Sequence, residues 1–384
     1  MNFEFSEEQK AIKKMAKKFS DEEILPFAKK NDEEKHFPRE IINKMADIGL
    51  LGSTIPKDYG GEGLDYLSYA LIVEEIGRAD SSVRTTVSVQ ISLVANAILK
   101  YGSDEQKKKY LPALASGKII GCFALTEPDT GSDASNQKTT ATFKDGKWIL
   151  NGNKMWISNG GIADIALVFA RTDKKDKKRG ISAFLVETNN KGFSSYNIEG
   201  KLGLRASNTA ALTFEDMKIP EESLLGKEGQ GYKIAMETLN NGRFSVAAGC
   251  VGIINGCIDA STKYAKERIA FDKPIGSFQL IQEMIAQMVV ERDASRLLVY
   301  RVADLKNRKV ECILETSIAK YYASESAVRA ANSAIQIHGG YGYCSDFPVE
   351  RYLRDARVAT IYEGTSEIQK LIIGEKILGL RALV

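Results

Sequence analysis

Histidine is scarce in this chain, with two residues in 384, His36 and His338. One lies beside Pro38 in a loop pattern and the other among glycines, with no nucleophile elbow, which excludes a conventional Ser-His-Asp hydrolase. Five cysteines (Cys122, Cys250, Cys257, Cys312, Cys344) show neither CxxC spacing nor histidine neighbours, so no metal site is expected and buried thiols are the plain reading. A GxGxxG run after a strand is missing as well. Gly226-Lys-Glu-Gly-Gln-Gly231 has a different spacing, which argues against a nicotinamide Rossmann site.

Charge of one sign is also lacking. Fifty-three basic residues face fifty acidic ones, a net charge of +3, and basic runs such as Lys174-Lys-Asp-Lys-Lys-Arg179 are local. Such a run reads as a solvated hairpin loop, so no nucleic-acid partner is expected. No apolar stretch approaches the roughly 20 residues of a bilayer span, and Met1-Asn-Phe-Glu-Phe-Ser-Glu-Glu-Gln9 lacks the basic and apolar regions of a signal peptide. No membrane partner and a cytoplasmic location are the resulting expectations.

At 384 residues the chain exceeds the size at which single cores stop growing. Its periodicity predicts an α+β multidomain protein in three parts. Residues 1–118 read as an all-α domain: Ser6 and Gln9 form a capping box, and helices fit Arg39 to Leu51, Tyr66 to Ile76 and Val83 to Tyr101. Residues 119–230 read as a β domain, barrel or sandwich. Strands fit 139–143 and 147–150 around the hairpin signal Asp145-Gly146, then 165–170, 181–186 and 210–214. Residues 231–384 return to the helical period, with long segments to about Ile269, from Leu280 to Lys306 and from Leu314 to Ile337, as in a four-helix bundle.

Near the end, Ile361-Tyr-Glu-Gly-Thr-Ser-Glu-Ile-Gln369 isolates the carboxylate of Glu363 in an apolar stretch before a helical pattern. It reads as a catalytic base or as an acid favoured by a helix N-terminus. Upstream stand Gln336-Ile-His-Gly-Gly-Tyr-Gly-Tyr343 and Val349-Glu-Arg-Tyr-Leu-Arg-Asp-Ala-Arg357. The run from Gln336 to Gln369 resembles the C-terminal domain of the acyl-CoA dehydrogenases, and the resemblance extends over essentially the whole chain. It implies FAD as cofactor, an acyl-CoA substrate, an electron-transferring flavoprotein as partner, a homotetramer and a place in fatty acid metabolism.

The same resemblance assigns roles. Glu363 becomes the base that removes the α-proton, and its backbone N–H, beside Gly364, meets the thioester carbonyl. Phe123-Ala-Leu-Thr-Glu-Pro-Asp-Thr-Gly-Ser132, otherwise an ordinary strand and turn, is implied to hold the flavin through Phe123, Leu125 and Thr126 and the CoA chain through Ser132. Trp156, Ile157 and Ser158 match the next element: the indole covers the flavin and the hydroxyl lies near N5, although a lone strand Trp also reads as core. Asn240 and Arg243 resemble a CoA-binding element, with Arg243 reaching toward the nucleotide end; a surface arginine without ligand is the other reading. Arg268, Phe271, Gln279, Gln336, Gly339 and Gly340 resemble positions where a neighbouring subunit grips FAD, with Thr365 and Glu367 also on the cofactor.

Arg84 separates substrates. It falls where glutaryl-CoA dehydrogenases carry the arginine for a distal carboxylate, and Val89-Gln90 and Lys201-Leu-Gly-Leu-Arg-Ala-Ser207 look similar to that group. Gly77 stands where that group has an acid, and Thr365-Ser-Glu-Ile-Gln369 looks like the short-chain, butyryl-CoA enzymes. A solvent-facing arginine paired with Asp80 is the structural alternative. The reading is a short-chain acyl-CoA dehydrogenase forming a trans-2-enoyl-CoA, with glutaryl-CoA oxidation as runner-up. An acyl-CoA oxidase and a non-catalytic CoA- or flavin-binding subunit remain as rivals.

Overall fold

A computed structural model describes residues 4–173 and 175–382; Lys174, the first residue of the basic run read as a hairpin loop, and Met1 to Phe3 lie outside them. The chain folds as helices, then a sheet, then helices. The first set is α1 (Glu7–Phe19), α2 (Leu25–Glu34), α3 (Arg39–Asp47), α4 (Tyr66–Ala79), α5 (Ser81–Ser88), α6 (Asn96–Tyr101) and α7 (Asp104–Ala115). The Ser6–Gln9 capping box forms as read. Gly49, at φ 77°, ends α3 earlier than the sequence pattern suggests, because only glycine enters the left-handed region freely.

Between α5 and α6 the helix widens into a π segment, Val89–Ala95. Ser81–Tyr101 and the helix α8 (Gly231–Glu267) are each long and apolar enough to cross a membrane, which corrects the expectation that no stretch approached that length. Inside the protein 89% and 83% of those windows are buried, so their apolar surface serves the core.

The sheet comprises β1 (Gly121–Ala124), β2 (Thr140–Lys144), β3 (Lys147–Ser158), β4 (Ile165–Arg171), β5 (Ile181–Glu187), β6 (Phe193–Asn197), β7 (Thr209–Pro220) and β8 (Leu224–Leu225). Its order is β6-β7-β3-β2-β4-β5-β8, with β1 beside β4 in parallel. The β2–β3 hairpin turns at Asp145 (φ 53°) and Gly146 (φ 73°), the paired positive angles that Asp-Gly favours. β6 escaped the sequence reading because Ser194, Ser195 and Tyr196 are exposed and show no apolar alternation. β4 is apolar from Ile165 to Ala170 because both its faces are covered. Ile165, Leu167 and Phe169 join a cluster with Leu93, Leu111 and Ile234 of the helices, whereas Ala166, Val168 and Ala170 pack on Trp148 and Phe214 of the sheet.

The last set is α8, the small β9 (Ile269–Ala270) and β10 (Lys273–Pro274), then α9 (Gln279–Asn307), α10 (Ile313–His338), α11 (Val349–Ala359) and α12 (Ser366–Leu378). Alanines at contact positions of α10 (Ala319, Ala323, Ala327, Ala330, Ala334) let it approach α8 closely. The loop at 201–207 docks on α11, where the Leu204 N–H donates to Asp355 Oδ1 at 2.6 Å and Arg354 forks onto Asp32 and Glu350. That contact joins the sheet to the helix leading into Glu363.

A buried ion pair fixes the turn after β1. Lys154 and Glu127, 0% and 4% exposed, meet at 2.9 Å, and Lys154 also donates to the Leu125 carbonyl and Gln137. Burial pushes the Glu127 carboxyl up, but Lys154 and the N–H groups of Lys138 and Thr139 outweigh it and hold the group below its ordinary value. Removing one partner strands the other charge. Glu127→Ala is therefore expected to destabilise the protein by about 3–5 kcal/mol in denaturant titrations, and the double change Glu127→Leu with Lys154→Met by clearly less. Equal losses would show that the pair matters through packing alone.

Candidate active site

Glu363 follows α11 in a left-handed backbone conformation, φ 53°, a strained choice for a non-glycine residue that clusters at functional sites. The residue keeps some surface, yet its Oε2 is buried and without a hydrogen-bond partner among the described residues. The carboxylate fits there because α8 has a glycine opposite: a Cβ on Gly242 would stand 1.9 Å from Oε2. Burial pushes the Glu363 carboxyl up to about 7, offset in part by Arg84, Arg243 and Lys320. A carboxylate half ionised near neutrality, unpartnered and enclosed is suited to take a proton from carbon.

The backbone around it is gripped from two helices. Arg243 Nε of α8 donates to the Glu363 carbonyl at 3.0 Å, and Lys320 Nζ of α10 donates to the Gly364 carbonyl at 2.7 Å. Gln369 Nε2 reaches the same two carbonyls at 3.4 and 2.9 Å. Gly364 has φ 93°, and a Cβ there would meet Gln369 Nε2 at 2.7 Å and Arg243 at 3.4 Å. This glycine makes room for the protein donors Gln369 and Arg243.

Two arginines depart from their surface readings. Arg243 is 6% exposed and lies beside the base instead of projecting outward. Arg84 is 3% exposed, so neither solvent nor Asp80 holds it. Its guanidinium donates to the Tyr362 hydroxyl at 2.5 Å and to Ser88 at 3.3 Å, while Nε is buried without a partner among the described residues. Asp80 instead caps α5 through the Ser82 N–H and faces Arg351. Behind Arg84 a hydroxyl chain links Ser88 to Ser245 (2.6 Å), Ser245 to Tyr69 (3.0 Å) and Tyr69 to Ser92 (2.8 Å).

A second group forms where β1 ends against β3. The β3–β7 register slips between Lys154 and Ile157, and in this bulge Trp156 takes φ 62° and stays 58% exposed. It is therefore no core tryptophan. The Met155 N–H donates to the Thr126 carbonyl at 2.9 Å, which sets Leu125 and Thr126 beside that strand, with Phe123 in β1 and Ile157 and Ser158 closing β3. Ser132 lies exposed in the following turn. Asn240, half-buried two residues before Gly242, has its Oδ1 without a hydrogen-bond partner among the described residues.

Arg268, Phe271, Gln279, Gln336, Gly339 and Gly340 are exposed around the start of α9 and the end of α10, with Arg268 5.8 Å from the Tyr341 ring and Phe271 88% exposed. Thr365 caps α12 by accepting the Ile368 N–H, and hydrogen bonds from its own backbone N–H and the Thr365 hydroxyl hold exposed Glu367 below its ordinary value. His338 is buried, stacks on Tyr264 at 4.3 Å and bonds the Ala334 carbonyl. Cys344 is exposed, unlike the other four thiols. Among the described residues no group of His, Cys, Asp and Glu could hold a metal. A cavity of about 500 Å³ between α2, α8 and α11, lined by Asp32, Arg78 and Arg351, belongs to none of these groups.

Sequence reasoning missed Gly242, Lys320, Tyr362 and the roles of Gln369, Glu127 and Lys154. A lysine in the alanine-rich face of α10 was the available signal for one of them.

Three family models match the chain: acyl-CoA dehydrogenase N-terminal domain at 6–118, middle domain at 122–217 and C-terminal domain at 229–378. An acyl-CoA dehydrogenase of Bacillus subtilis is 48% identical over 97% of this chain and 99% of its own. Butyryl-CoA dehydrogenase from Megasphaera elsdenii superimposes with a TM-score of 0.97 at 41% identity, over 98% of this chain and all of its own. A glutaryl-coenzyme A dehydrogenase in complex with glutaryl-CoA does so with 0.96 at 43%, over 99% and 98%.

Gly242→Ala tests the carboxylate's seat. It is expected to lower the rate of substrate-dependent flavin reduction roughly 100-fold with cofactor content retained, since small displacements of a reacting group carry such losses; an unaltered rate would mean that Glu363 works from another position. The geometry and the matches together make this chain a member of the acyl-CoA dehydrogenase family.

Proposed function

We propose that the chain oxidises a short-chain acyl-CoA to the trans-2-enoyl-CoA, with FAD as cofactor and an electron-transferring flavoprotein as acceptor. The enclosed, unpartnered Oε2 of Glu363 carries this reading. Glu363 takes the α-proton; its burial supplies the basicity and the three nearby cations keep a share ionised at neutral pH. Activity then rises with pH through about 7 as the carboxyl deprotonates. Bound FAD supplies the acceptor for the hydride that leaves Cβ.

Residues of this chain fit that cofactor. Trp156 holds a large ring half in the open on a strained bulge, a platform for a flat ring system, and the main chain of Leu125 and Thr126 and the Ser158 hydroxyl stand at the same strand ends. Arg268, Phe271, Gln279, Gln336, Gly339 and Gly340, exposed on the bundle beside Leu280 (78% exposed), serve a second copy's cofactor in a homotetramer on this reading.

One observation favours a dicarboxylic substrate, glutaryl-CoA, as the second reading: the buried guanidinium of Arg84 with its free Nε. Arg84 feels the Glu363 carboxylate through space but makes no hydrogen bond to it among the described residues, and a second, directly bonded carboxylate would offset the cost of burying the guanidinium. Anaerobic mixing of FAD-loaded protein with butyryl-CoA and, separately, glutaryl-CoA distinguishes the two by flavin bleaching. Bleaching by butyryl-CoA alone is expected, with Glu363→Gln keeping FAD and losing the reaction. Selective loss of glutaryl-CoA turnover in Arg84→Ala would move the assignment to the second reading, and no bleaching with either thioester would end both. Rapid peroxide formation in air would make the protein an oxidase.

A further inference from the structure

We infer that Lys320 is a positioning residue for the base: from α10 its ammonium holds the Gly364 carbonyl, and with it the strained backbone of Glu363, and places a buried positive charge behind the carboxylate. The inference rests on the reading of Glu363 as the base.

Lys320 is 0% exposed on α10, where its neighbours three and four positions away are Ala323 and the buried Thr316, Ser317 and Ser324. A lysine at such a position loses its hydration, and one bond to a neutral carbonyl at 2.7 Å is poor compensation. The carboxylates of Glu363 and Glu325 act on it through space, and Glu325 is itself engaged by the Ser366 hydroxyl. Burial depresses the ammonium to about 8, so it stays charged at neutral pH. A methionine or leucine would pack the same volume at no such cost, which makes packing alone a poor account of a lysine here.

Its target explains the placement. Glu363 lies at φ 53° and Gly364 at φ 93°, two successive residues in the left-handed region, and such a turn persists only where its surroundings over-determine it. Arg243 binds the first carbonyl, Lys320 the second, and Gln369 both. The clamp fixes the peptide plane from which the Glu363 side chain departs, and the Gly242 surface then leaves the carboxylate one seat.

The charges facing Glu363 are Arg84 of α5, Arg243 of α8 and Lys320 of α10, with the phenols of Tyr69 on α4 and Tyr362 nearby. Lys320 and Arg243 each hold a backbone carbonyl of the turn, whereas Arg84 is tied to the Tyr362 and Ser88 hydroxyls. Without the Lys320 charge the ionised carboxylate loses a neighbouring cation that favours it, so the Glu363 titration moves to higher pH.

The test uses full-length, FAD-loaded Lys320→Met and Lys320→Gln. The Glu363 carboxyl band is followed by infrared titration and identified by its loss in Glu363→Gln, which needs no turnover. Stopped-flow flavin reduction is then measured across pH. In both variants the carboxyl midpoint is expected to rise by roughly one unit. In Lys320→Met the limiting reduction rate falls about ten-fold or more, with Lys320→Gln, which keeps a donor for the Gly364 carbonyl, falling less. An unmoved midpoint in whichever variant retains FAD overturns the charge role, and equal rates in Met and Gln overturn the clamp. Wild-type protein inert to every thioester would sink the functional reading while the infrared midpoint still decides whether Lys320 acts on Glu363.

Discussion

The placement of one carboxylate in a low-dielectric seat governs much of this molecule. Glu363 must be buried to be basic enough, yet ionisable near neutrality, and those demands oppose each other. The chain reconciles them with cations from three different helices, α5, α8 and α10, so the site exists only when both helical parts are packed together. Tyr69 and Phe244 in one continuous core cluster with Ala323 and Ala327 show that packing directly: the N-terminal and C-terminal helices share a core. A loosened core would let water reach the carboxylate and return it toward its ordinary value.

The sheet solves a separate problem. A large aromatic ring must stand in the open at a fixed angle, and regular strand pairing would turn it into a face of the sheet. The bulge at Lys154–Ile157 breaks that pairing, and the backbone strain at Trp156 is anchored two residues away by Lys154, itself locked to Glu127 and the Leu125 carbonyl. One buried ion pair therefore sets both the exposed ring and the turn that faces it. Arg354 and Asp355 then carry this unit to α11 through the 201–207 loop, so the ring and the base sit on elements tied to each other.

Much of this was legible in the sequence where a local rule acts alone. The capping box at Ser6, the Asp145-Gly146 hairpin and the helical period of α8 to α10 depend on nearest neighbours, and they form as read. Glu363 stood out because an acid in an apolar run is conspicuous. The illegible parts are those in which a residue answers to a distant one. Gly242 is a glycine because Glu363, on another element, occupies the space of its Cβ, and nothing within its own helix says so. For Arg84 the structural alternative to substrate binding was a pairing with Asp80 four residues away, but Asp80 is taken up by the Ser82 N–H and Arg351, and the guanidinium turns inward to Tyr362, 278 positions along the chain. β6 hid because an exposed edge strand shows no apolar period.

The charge balance around Glu363 bears on why three cations are assembled there. With the carboxylate ionised, Arg84, Arg243 and Lys320 leave the site net positive, an arrangement that raises the barrier to nothing only if negative charge stays within their reach. Proton abstraction from an α-carbon does keep it there: the charge leaves Glu363 and reappears on the thioester oxygen and α-carbon a few ångströms away. The field that depresses the base's proton affinity is thus the same field that stabilises the product of its action, so the weakening of the base is returned in the transition state. A single cation paired tightly to Glu363 would do the opposite, lowering the ground state more than the transition state. The absence of any hydrogen bond to Oε2 among the described residues, with the cations held on neighbouring carbonyls and on Tyr362, is the geometry that avoids such pairing.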